Sequence, residues 1–431
     1  MALSLHKKCK ERFAAVLNQV LPRCTVNHNK FLDYDSTEAL DQLNDVLPQH
    51  GSGSRDQLEK SIGSGPASLF VRSRLDEMLG AREYLSETAP TPLGALPGAT
   101  PVGALAEQLV AEFDSLPWKY DALPPLPEAL SQALIDAKGI GEVELGSGCS
   151  LFVHKEGASP FPTHVDPEGL QLFAAMGLRP GPSGLIPGRV YLRGRLDGFI
   201  PHYGTGKPIK DFTALVRGVL GILTSLLLTK HSSGVATAAQ VIHVVLYRDD
   251  GEGRTFVIPR ELDTHLAVAI NSQVIHDGIK AERLNGWINH AITRLQTVLG
   301  SAGAEDRIVR AASWLFDGEA TTETNPHLAF IQTTVALEIL FGDRAISNEL
   351  GLTELLANRC AYLIGKTRSD RLTIQRDFKR AYSTRSRIVH SGHERLTSGD
   401  YFDLFALRFM ARRAIWEELE LLAKDVQGAK P

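Results

Sequence analysis

Residues 371–392 read RLTIQRDFKRAYSTRSRIVHSG, and this stretch carries most of what the sequence says about fold and function. It contains no proline and no internal glycine, so it predicts a helix from about Arg371 to Val389. Gly392 stands where a glycine commonly ends a helix. His390 therefore falls in or just past the last helical turn.

The same helix end holds an arginine and a histidine at a defined spacing. Arg385 lies five residues before His390, about one and a half turns earlier. A guanidinium binds phosphate oxygens, and an imidazole moves a proton near neutral pH, so the two together suit phosphate chemistry. An Arg-x4-His spacing also arises by chance, and the alternative is a surface arginine followed by a histidine that caps the helix.

The charge around this helix favours a polyanion as partner. Residues 366–395 hold nine Lys or Arg and three Asp or Glu, an excess of +6 in a chain whose net charge is −4. A basic stripe on one helix is typical of RNA-binding surfaces. The side chains predicted to contact RNA are Lys379, Arg380, Arg387, Arg376 and Tyr382. The alternative is a solvated helix face whose arginines pair with acids elsewhere.

Glu338 is the single carboxylate in an apolar segment, HLAFIQTTVALEILF. Acidic side chains are seldom buried unless they are paired. One interpretation is a structural ion pair with Arg359 or Arg385. The other is that Glu338 orients Arg385 or His390 within a site, since structural and functional ion pairs look alike in a sequence.

Composition limits the classes of protein that this chain can be. Its 431 residues predict two or three domains, and 43% hydrophobic with 22% charged residues are typical of a soluble globular protein. These values exclude a chain that is disordered throughout, a collagen and a coiled coil. The four cysteines form no C-x-x-C pair, which predicts reduced thiols and a cytoplasmic location. The longest uncharged apolar stretch, 218–229, is too short for a membrane span, so no membrane partner is expected.

Upstream of the charged helix the pattern predicts a multidomain α+β protein. Strands are predicted within 143–154, 189–200, 240–247 and 255–259, with helices at 163–177, 210–230 and 277–299. The turn-rich residues Asp249–Gly253 predict a hairpin between the last two strands. From about 303 onward the pattern is entirely helical, with helices predicted at 304–316, 328–341, 352–363, 371–389 and 401–424.

These patterns divide the chain into four parts. They are a helical N-terminal segment (1–84), a Pro/Gly-rich linker or loop (85–104), a mixed α+β region (105–300) and a C-terminal helical bundle (301–431). The last predicted helix has an apolar face formed by Phe402, Phe405, Phe409, Trp416 and Leu419. This is more aromatic surface than a small bundle core needs, and it favours a homodimer through the bundle.

Three segments carry a family resemblance: ASWLFDGEATTETNPHLAFIQTTVALEILFGD, LTELLANRCAYLIG and RDFKRAYSTRSRIVHSG. Together they resemble the Apea-like branch of the HEPN superfamily, over roughly residues 304–425. The resemblance implies an all-α HEPN-like bundle that is often dimeric. It also implies a hallmark Arg-x(4–6)-His motif, matched here by Arg385 and His390. Many members are metal-independent endoribonucleases of toxin–antitoxin or anti-phage systems, and others only bind.

The function that we expect on this basis is RNA cleavage in the cytoplasm without a metal or other cofactor. The RNA 2′-OH would attack its own phosphate, with His390 as general base or acid, Arg385 stabilising the developing charge and Glu338 orienting the pair. Residues 105–300 would sense a trigger or present the substrate. The alternatives are a non-catalytic module that binds RNA, a nucleotide or a partner protein, and a purely structural dimerisation bundle.

Overall fold

A computed structural model describes residues 3, 5–51, 53–86, 89–139, 141–155, 157, 160–163, 184–232, 241–301, 306–342, 351–391 and 395–428. Residues 164–177 of one predicted helix, and Gly392, lie outside the described residues. The chain divides into two compact units: residues 1–121, 195–211 and 246–260 form the first, and residues 122–194, 212–245 and 261–431 the second. This division does not follow the predicted boundaries at 84, 104 and 300.

The N-terminal part is helical, as predicted, but it also contains a small sheet. Its helices are α1 (Lys7–Val20), α2 (Arg55–Ser61), α3 (Pro66–Gly80) and α4 (Val102–Asp114), with 3-10 helices at Leu21–Arg23, Asp35–Val46 and Leu93–Ala95. Strands β1 (Thr25–Asn27), β2 (Phe31–Leu32) and β3 (Thr91–Pro92) form an antiparallel sheet of order β2-β1-β3.

The segment 85–104, predicted as a linker or loop, is a packed loop where the structure describes it. Leu93 and Leu96 are buried in the same apolar core as Phe13 and Phe70. The neighbouring strand β3 pairs with β1. The two leucines explain the difference from a free linker, because burying their side chains stabilises the packed arrangement against the flexibility of the surrounding Pro and Gly residues.

The middle of the chain mixes strands and helices. Its elements are β4 (Trp118–Leu123), α5 (Glu128–Lys138), β5 (Glu142–Gly146), β6 (Cys149–Val153), β7 (Val190–Gly198), α6 (Lys207–Ser225), β8 (Thr229–His231), β9 (His243–Asp249), β10 (Arg254–Glu261), α7 (Thr264–Asn271), β11 (Gln273–Ile275) and α8 (Ala281–Gly300). A six-stranded sheet has the order β10-β9-β4-β7-β6-β5, and β11 pairs with β8. The predicted hairpin is confirmed, since β9 and β10 are neighbours and Asp250 N donates to Gly253 O at 3.1 Å.

The last third of the described chain is helical, and each of the five helices predicted there is present. They are α9 (Asp306–Ala320), α10 (Pro326–Phe341), α11 (Leu352–Ile364), α12 (Arg368–Ser391) and α13 (Ser398–Gly428), which we call the C-terminal helical region. Asn325 begins α10 by accepting a hydrogen bond from Leu328 N at 3.1 Å, and Pro326 occupies the first turn. In the described part of the chain, no helix is long and apolar enough to cross a membrane.

The apolar face predicted on α13 lies largely outside the chain's own core. Phe402, Phe405 and Phe409 are 72%, 58% and 68% exposed, whereas Leu419 is buried as expected. The helix instead turns its smaller apolar residues inward: Leu404, Leu407, Met410, Ala411, Ala414 and Ile415. Because both sets recur at helical spacing, periodicity could not choose between them.

Close backbone packing joins α6 to α9 within the second unit. A Cβ on Gly218 would meet the Val309 carbonyl oxygen at 2.8 Å, and one on Gly221 would overlap the carbonyl of Ala312. Only glycine allows this approach. It places the end of α6 beside the C-terminal helical region.

Candidate functional site

The predicted site residues Arg385, Tyr382 and Glu338 lie together between α12 and α10. Tyr382 Oη donates a hydrogen bond of 2.8 Å to Glu338 Oε1, and Arg385 Nη2 lies 3.7 Å from the same oxygen. The Arg385 guanidinium carbon is 5.6 Å from the centre of the Tyr382 ring, a cation–π distance. We call these three side chains the Glu338 cluster.

The helix register explains why these residues meet. Phe378, Tyr382 and Arg385 are spaced by four and three residues, so they share one face of α12. Phe378 is fully buried, and its ring stacks with that of Tyr382 at 6.2 Å. This apolar anchor fixes the tyrosine, which in turn positions the carboxylate and the guanidinium.

Arg385 is held without a close hydrogen bond to an acid. Its Nε is buried and has no hydrogen-bond partner among the described residues. About a quarter of the side chain stays exposed, as does about a quarter of Glu338. Of the two arginines predicted to pair with Glu338, Arg385 is the one within ion-pair distance, while Arg359 donates to the Phe341 carbonyl oxygen at 2.5 Å.

Burial and hydrogen bonding keep Tyr382 protonated. Partial desolvation, together with its hydrogen bond to Glu338, raises the pKa of Tyr382 to about 12. The phenol therefore acts as a hydrogen-bond donor at neutral pH and does not serve as a base.

His390 lies on a different side of α12. His390 stands five positions after Arg385, which places the two side chains about 140° apart around the helix axis. His390 is exposed and forms no hydrogen bond or ion pair within the part of the chain that the structure describes. It continues the row that contains Lys379, eleven residues or about three turns earlier.

The four cations predicted to contact RNA are each paired with an acid. Lys379 contacts Glu354 at 2.5 Å, Arg380 contacts Asp403 at 2.5 Å, Arg387 contacts Asp400 at 2.5 Å and Arg376 contacts Asp377 at 3.1 Å. All four cations remain between 44% and 70% exposed. They can still face a polyanion, but three of their partners, Glu354, Asp400 and Asp403, join α12 to α11 and α13.

These acids lower the local charge. Together with Glu338, the acids from neighbouring helices reduce the excess of +6 around α12 to +2. Asp400 and Asp403 are buried and also accept hydrogen bonds from Thr384. The charge count of α12 alone therefore overstated the basic character of this surface, because the compensating acids lie elsewhere in the sequence.

A second acidic centre, which the sequence analysis did not identify, lies between α9 and α13. Glu319 is fully buried and receives two hydrogen bonds from Arg412, one of 2.6 Å from Nη2 and a shorter one from Nε. Arg408 Nη2 lies 3.6 Å from the same carboxylate. Although burial opposes ionisation, the two guanidiniums hold the pKa of Glu319 below its usual value. We call these three side chains the Glu319 cluster.

A sequence signal for Glu319 existed. Along α9 the buried positions Ile308, Ala312, Leu315 and Phe316 continue in register to Glu319. A carboxylate at a core position requires a cation, and Arg408 and Arg412 stand one turn apart on α13.

In the part of the chain that the structure describes, no three His, Cys, Asp or Glu side chains are grouped so that they could hold a metal ion. Comparisons of this chain with protein-family models, curated proteins and solved structures find no match.

Proposed function

We propose that this chain is an HEPN-type endoribonuclease that cleaves RNA through its C-terminal helical bundle, in the cytoplasm and in anti-phage defence or as a toxin. One observation carries the proposal. Among the predicted site cations on α12, Arg385 is held by an aromatic ring and a 3.7 Å ion pair, whereas the others are closely paired with acids. A guanidinium held in place with donors to spare is suited to a phosphate.

The proposed reaction uses the RNA itself as nucleophile. The 2′-oxygen forms a bond to the adjacent phosphorus, and the bond from phosphorus to the 5′-oxygen breaks, which leaves a 2′,3′-cyclic phosphate and a 5′-hydroxyl. His390 takes the proton of the 2′-OH or gives one to the leaving oxygen. Arg385 stabilises the charge that develops on the phosphoryl oxygens.

Glu338 and Tyr382 have positioning roles in this proposal. The Tyr382 hydrogen bond fixes Glu338, and the carboxylate restrains Arg385 without using its N–H donors in a close hydrogen bond. Substrate phosphate would then compete with a weak ion pair, which costs little to loosen.

The proposal includes a homodimer through the bundle. In the proposed dimer, two facing copies bring two Arg385–His390 pairs to one cleft. The exposed aromatic side chains Phe402 and Phe405 give α13 an apolar surface for this contact. Light scattering should give about twice the 47.0 kDa chain mass. Phe405→Glu should yield monomers, whereas Val426→Glu on the same helix should not.

The test is cleavage of bulk RNA in excess EDTA, with analysis of the ends produced. The proposal expects 2′,3′-cyclic phosphate ends, and it expects His390→Ala and Arg385→Ala each to lose roughly a hundredfold or more. Arg368→Ala, an exposed arginine of the same helix, is the matched control. Activity that EDTA abolishes and magnesium restores would overturn the mechanism, and equal activity of wild type and His390→Ala would overturn the site.

A second candidate is a non-catalytic RNA-binding module. The placement of Arg385 and His390 about 140° apart around α12 favours it, since a binding module does not need both side chains to act on one phosphate. In that case RNA binds and is recovered intact. Replacing Lys379 and Arg380 by Glu would weaken binding and lower its salt dependence by about one unit of slope per lost phosphate contact.

A further inference from the structure

A cavity of about 570 Å³ lies in the second unit, apart from the Glu338 cluster. Its walls come from the end of α6, the junction of α11 with α12, and the middle of α13. The lining residues are Ser225, Leu227, Ile364, Lys366, Asp370, Thr373, Ile374, Phe409, Arg412, Arg413 and Trp416. We call it the Trp416 cavity.

The size and lining of this cavity match a small-molecule site. Such sites enclose roughly 300–1,000 Å³ and combine apolar or aromatic walls with a few polar groups. Here Phe409 and Trp416 supply aromatic surfaces, and Ile364, Ile374 and Leu227 supply aliphatic ones. The aromatic surfaces favour a ligand with a flat ring.

The positive charge at the wall of the Trp416 cavity favours an anionic ligand. Arg412 lines the cavity and shares the single carboxylate of Glu319 with Arg408. One buried carboxylate therefore compensates only one of two largely buried guanidiniums, and the Nε of Arg408 has no hydrogen-bond partner among the described residues. Uncompensated charge away from water is costly, so an anion here would stabilise the fold.

The nearby His231 does not change the net charge of the Glu319 cluster. Burial lowers the pKa of His231 to about 4, so its ring is neutral at physiological pH. The Glu319 cluster keeps one net positive charge.

Of the other charged residues in the lining, Lys366 favours an anion. Lys366 is exposed and forms no ion pair within the described ranges. The one acid in the lining, Asp370, is engaged at the start of α12, where its carboxylate accepts from Thr367 N at 3.0 Å while Thr367 Oγ1 accepts from Asp370 N at 3.1 Å. Arg413 pairs with Glu417, which does not line the cavity.

The backbone at the cavity wall is strained. Leu227 adopts a left-handed conformation with φ of 57°, at the end of α6 where glycine is usual. Such outliers persist where the surrounding structure requires them, and they concentrate at ligand sites.

We propose that the Trp416 cavity binds a small organic anion, whose flat ring lies against Trp416 and Phe409 and whose carboxylate or phosphate group pairs with Lys366 and the guanidinium of Arg412. This inference is independent of RNA cleavage. It assigns a ligand site to a face of the C-terminal helical region that lies outside the proposed nuclease site.

Calorimetric titration of the full chain with matched ligands tests both parts of the proposal. Indole-3-acetate, tryptophol and tryptamine share one ring and differ in charge, and adenosine 5′-monophosphate with adenosine forms a second pair. We expect each anion to bind at least about tenfold more tightly than its neutral or cationic counterpart. Tighter binding of indole-3-acetate identifies a carboxylate head group, and tighter binding of adenosine 5′-monophosphate identifies a phosphate head group. Equal binding within each series, binding of inorganic phosphate as strong as that of the ring-bearing anions, or no binding of any of them at about 1 mM would overturn the proposal.

Variants then place the binding in this cavity. Lys366→Glu should lower the affinity for the preferred anion by about tenfold. Thr373→Trp, which places a large side chain in the cavity, should abolish binding. The controls are Lys280→Glu, an exposed lysine away from the cavity, and Leu372→Trp, the exposed neighbour of Thr373 that does not line it. Unchanged affinity in both cavity variants would show that the anion binds elsewhere and would overturn the assignment.

Discussion

The Glu319 and Glu338 clusters contain the same kinds of side chain and treat them in opposite ways. Glu338 lies in the apolar helix α10 and Glu319 on the buried face of α9, and each meets an arginine from a later helix. Glu319 is fully buried and takes two close hydrogen bonds from Arg412, with a second arginine beside it. Glu338 is about one quarter exposed and takes its hydrogen bond from Tyr382, while Arg385 stays 3.7 Å away.

This difference distinguishes an ion pair that stabilises the fold from one whose arginine can exchange its carboxylate for another anion. A buried, bidentate pair uses two guanidinium nitrogens in close hydrogen bonds, and removal of either partner leaves a charge without its counter-charge. A partly exposed pair at 3.7 Å contributes little to stability and can exchange its partner. We therefore assign a structural role to Glu319, and under the proposed function Arg385 is the residue of the Glu338 cluster that contacts RNA.

The largest expected effect concerns the two carboxylates. Glu319→Gln should lower the free energy of unfolding by about 3 to 5 kcal/mol, because it leaves two guanidiniums without a counter-charge. Glu338→Gln should lower it by less than about 1 kcal/mol. Urea unfolding of both variants checks this, and equal losses would mean that the two clusters play the same structural role.

A third acid extends the comparison to pH. Asp76 on α3 is buried with a hydrogen bond of 2.6 Å from Tyr34, and burial raises its pKa from 3.8 to about 6. Since its folded pKa is raised, Asp76 costs stability as pH increases from 3.8 to 6. Glu319 has a lowered folded pKa, so its contribution is present above its usual value of 4.5 and is lost as pH falls below it.

Replacing Asp76 should therefore remove a loss of stability that occurs as pH rises from 3.8 to about 6. Replacing Glu319 should remove a loss of stability that occurs as pH falls below 4.5. Asp76→Asn should gain roughly 3 kcal/mol at pH 7 relative to its effect near pH 3, whereas Glu319→Gln should lose most at pH 7 and least in acid. The control is Asp35→Asn, which removes an exposed carboxylate. Unfolding free energies measured at several pH values test the sign, and a loss of stability by Asp76→Asn at neutral pH would contradict it.

The sequence predicted the helices of the C-terminal region well and its charge network poorly. Apolar periodicity and the Asn325-Pro326 start signal depend on neighbours a few residues apart, so they are visible in the sequence alone. The pairing of Arg380 with Asp403, or of Arg412 with Glu319, joins residues 23 and 93 positions apart. Such partners become known only when the helices are packed.

Which apolar face of α13 the chain buries could not be predicted from the sequence for a related reason. Phe402, Phe405 and Phe409 are the most hydrophobic residues of a regular stripe, yet the stripe of Leu404, Leu407 and smaller residues faces the core. Periodicity identifies a helix but does not say which of two apolar faces a single chain buries. The Glu338 cluster was predictable because one carboxylate in an apolar helix required a cation, and Arg385 was one of two candidates.

A smaller effect should separate the two arginines. Arg412→Lys loses a bidentate hydrogen-bonded pair and should lower the free energy of unfolding by about 1 to 2 kcal/mol. Arg385→Lys should change it by less than about 0.5 kcal/mol, yet it should lower RNA cleavage roughly tenfold because an ammonium cannot form the paired contact with a phosphate. Thermal unfolding and initial rates measured on the same preparations check both. Destabilisation by Arg385→Lys equal to that by Arg412→Lys would remove the distinction.

A further small effect is expected from the Tyr382 hydroxyl. Tyr382→Phe removes the 2.8 Å hydrogen bond to Glu338 but keeps the ring that stacks with Phe378 and lies against Arg385. Because this bond is partly exposed, its loss should cost about 0.5 to 1 kcal/mol in unfolding free energy. A double-mutant cycle with Glu338→Ala should recover that value as the coupling energy, and additive effects would mean that the bond contributes nothing. If Glu338 positions Arg385 for catalysis, Tyr382→Phe should also lower kcat a few-fold while KM stays nearly constant, since the substrate contacts themselves are intact. A rise in KM with unchanged kcat would instead make Tyr382 itself a contact for RNA, the role that the charged helix first suggested.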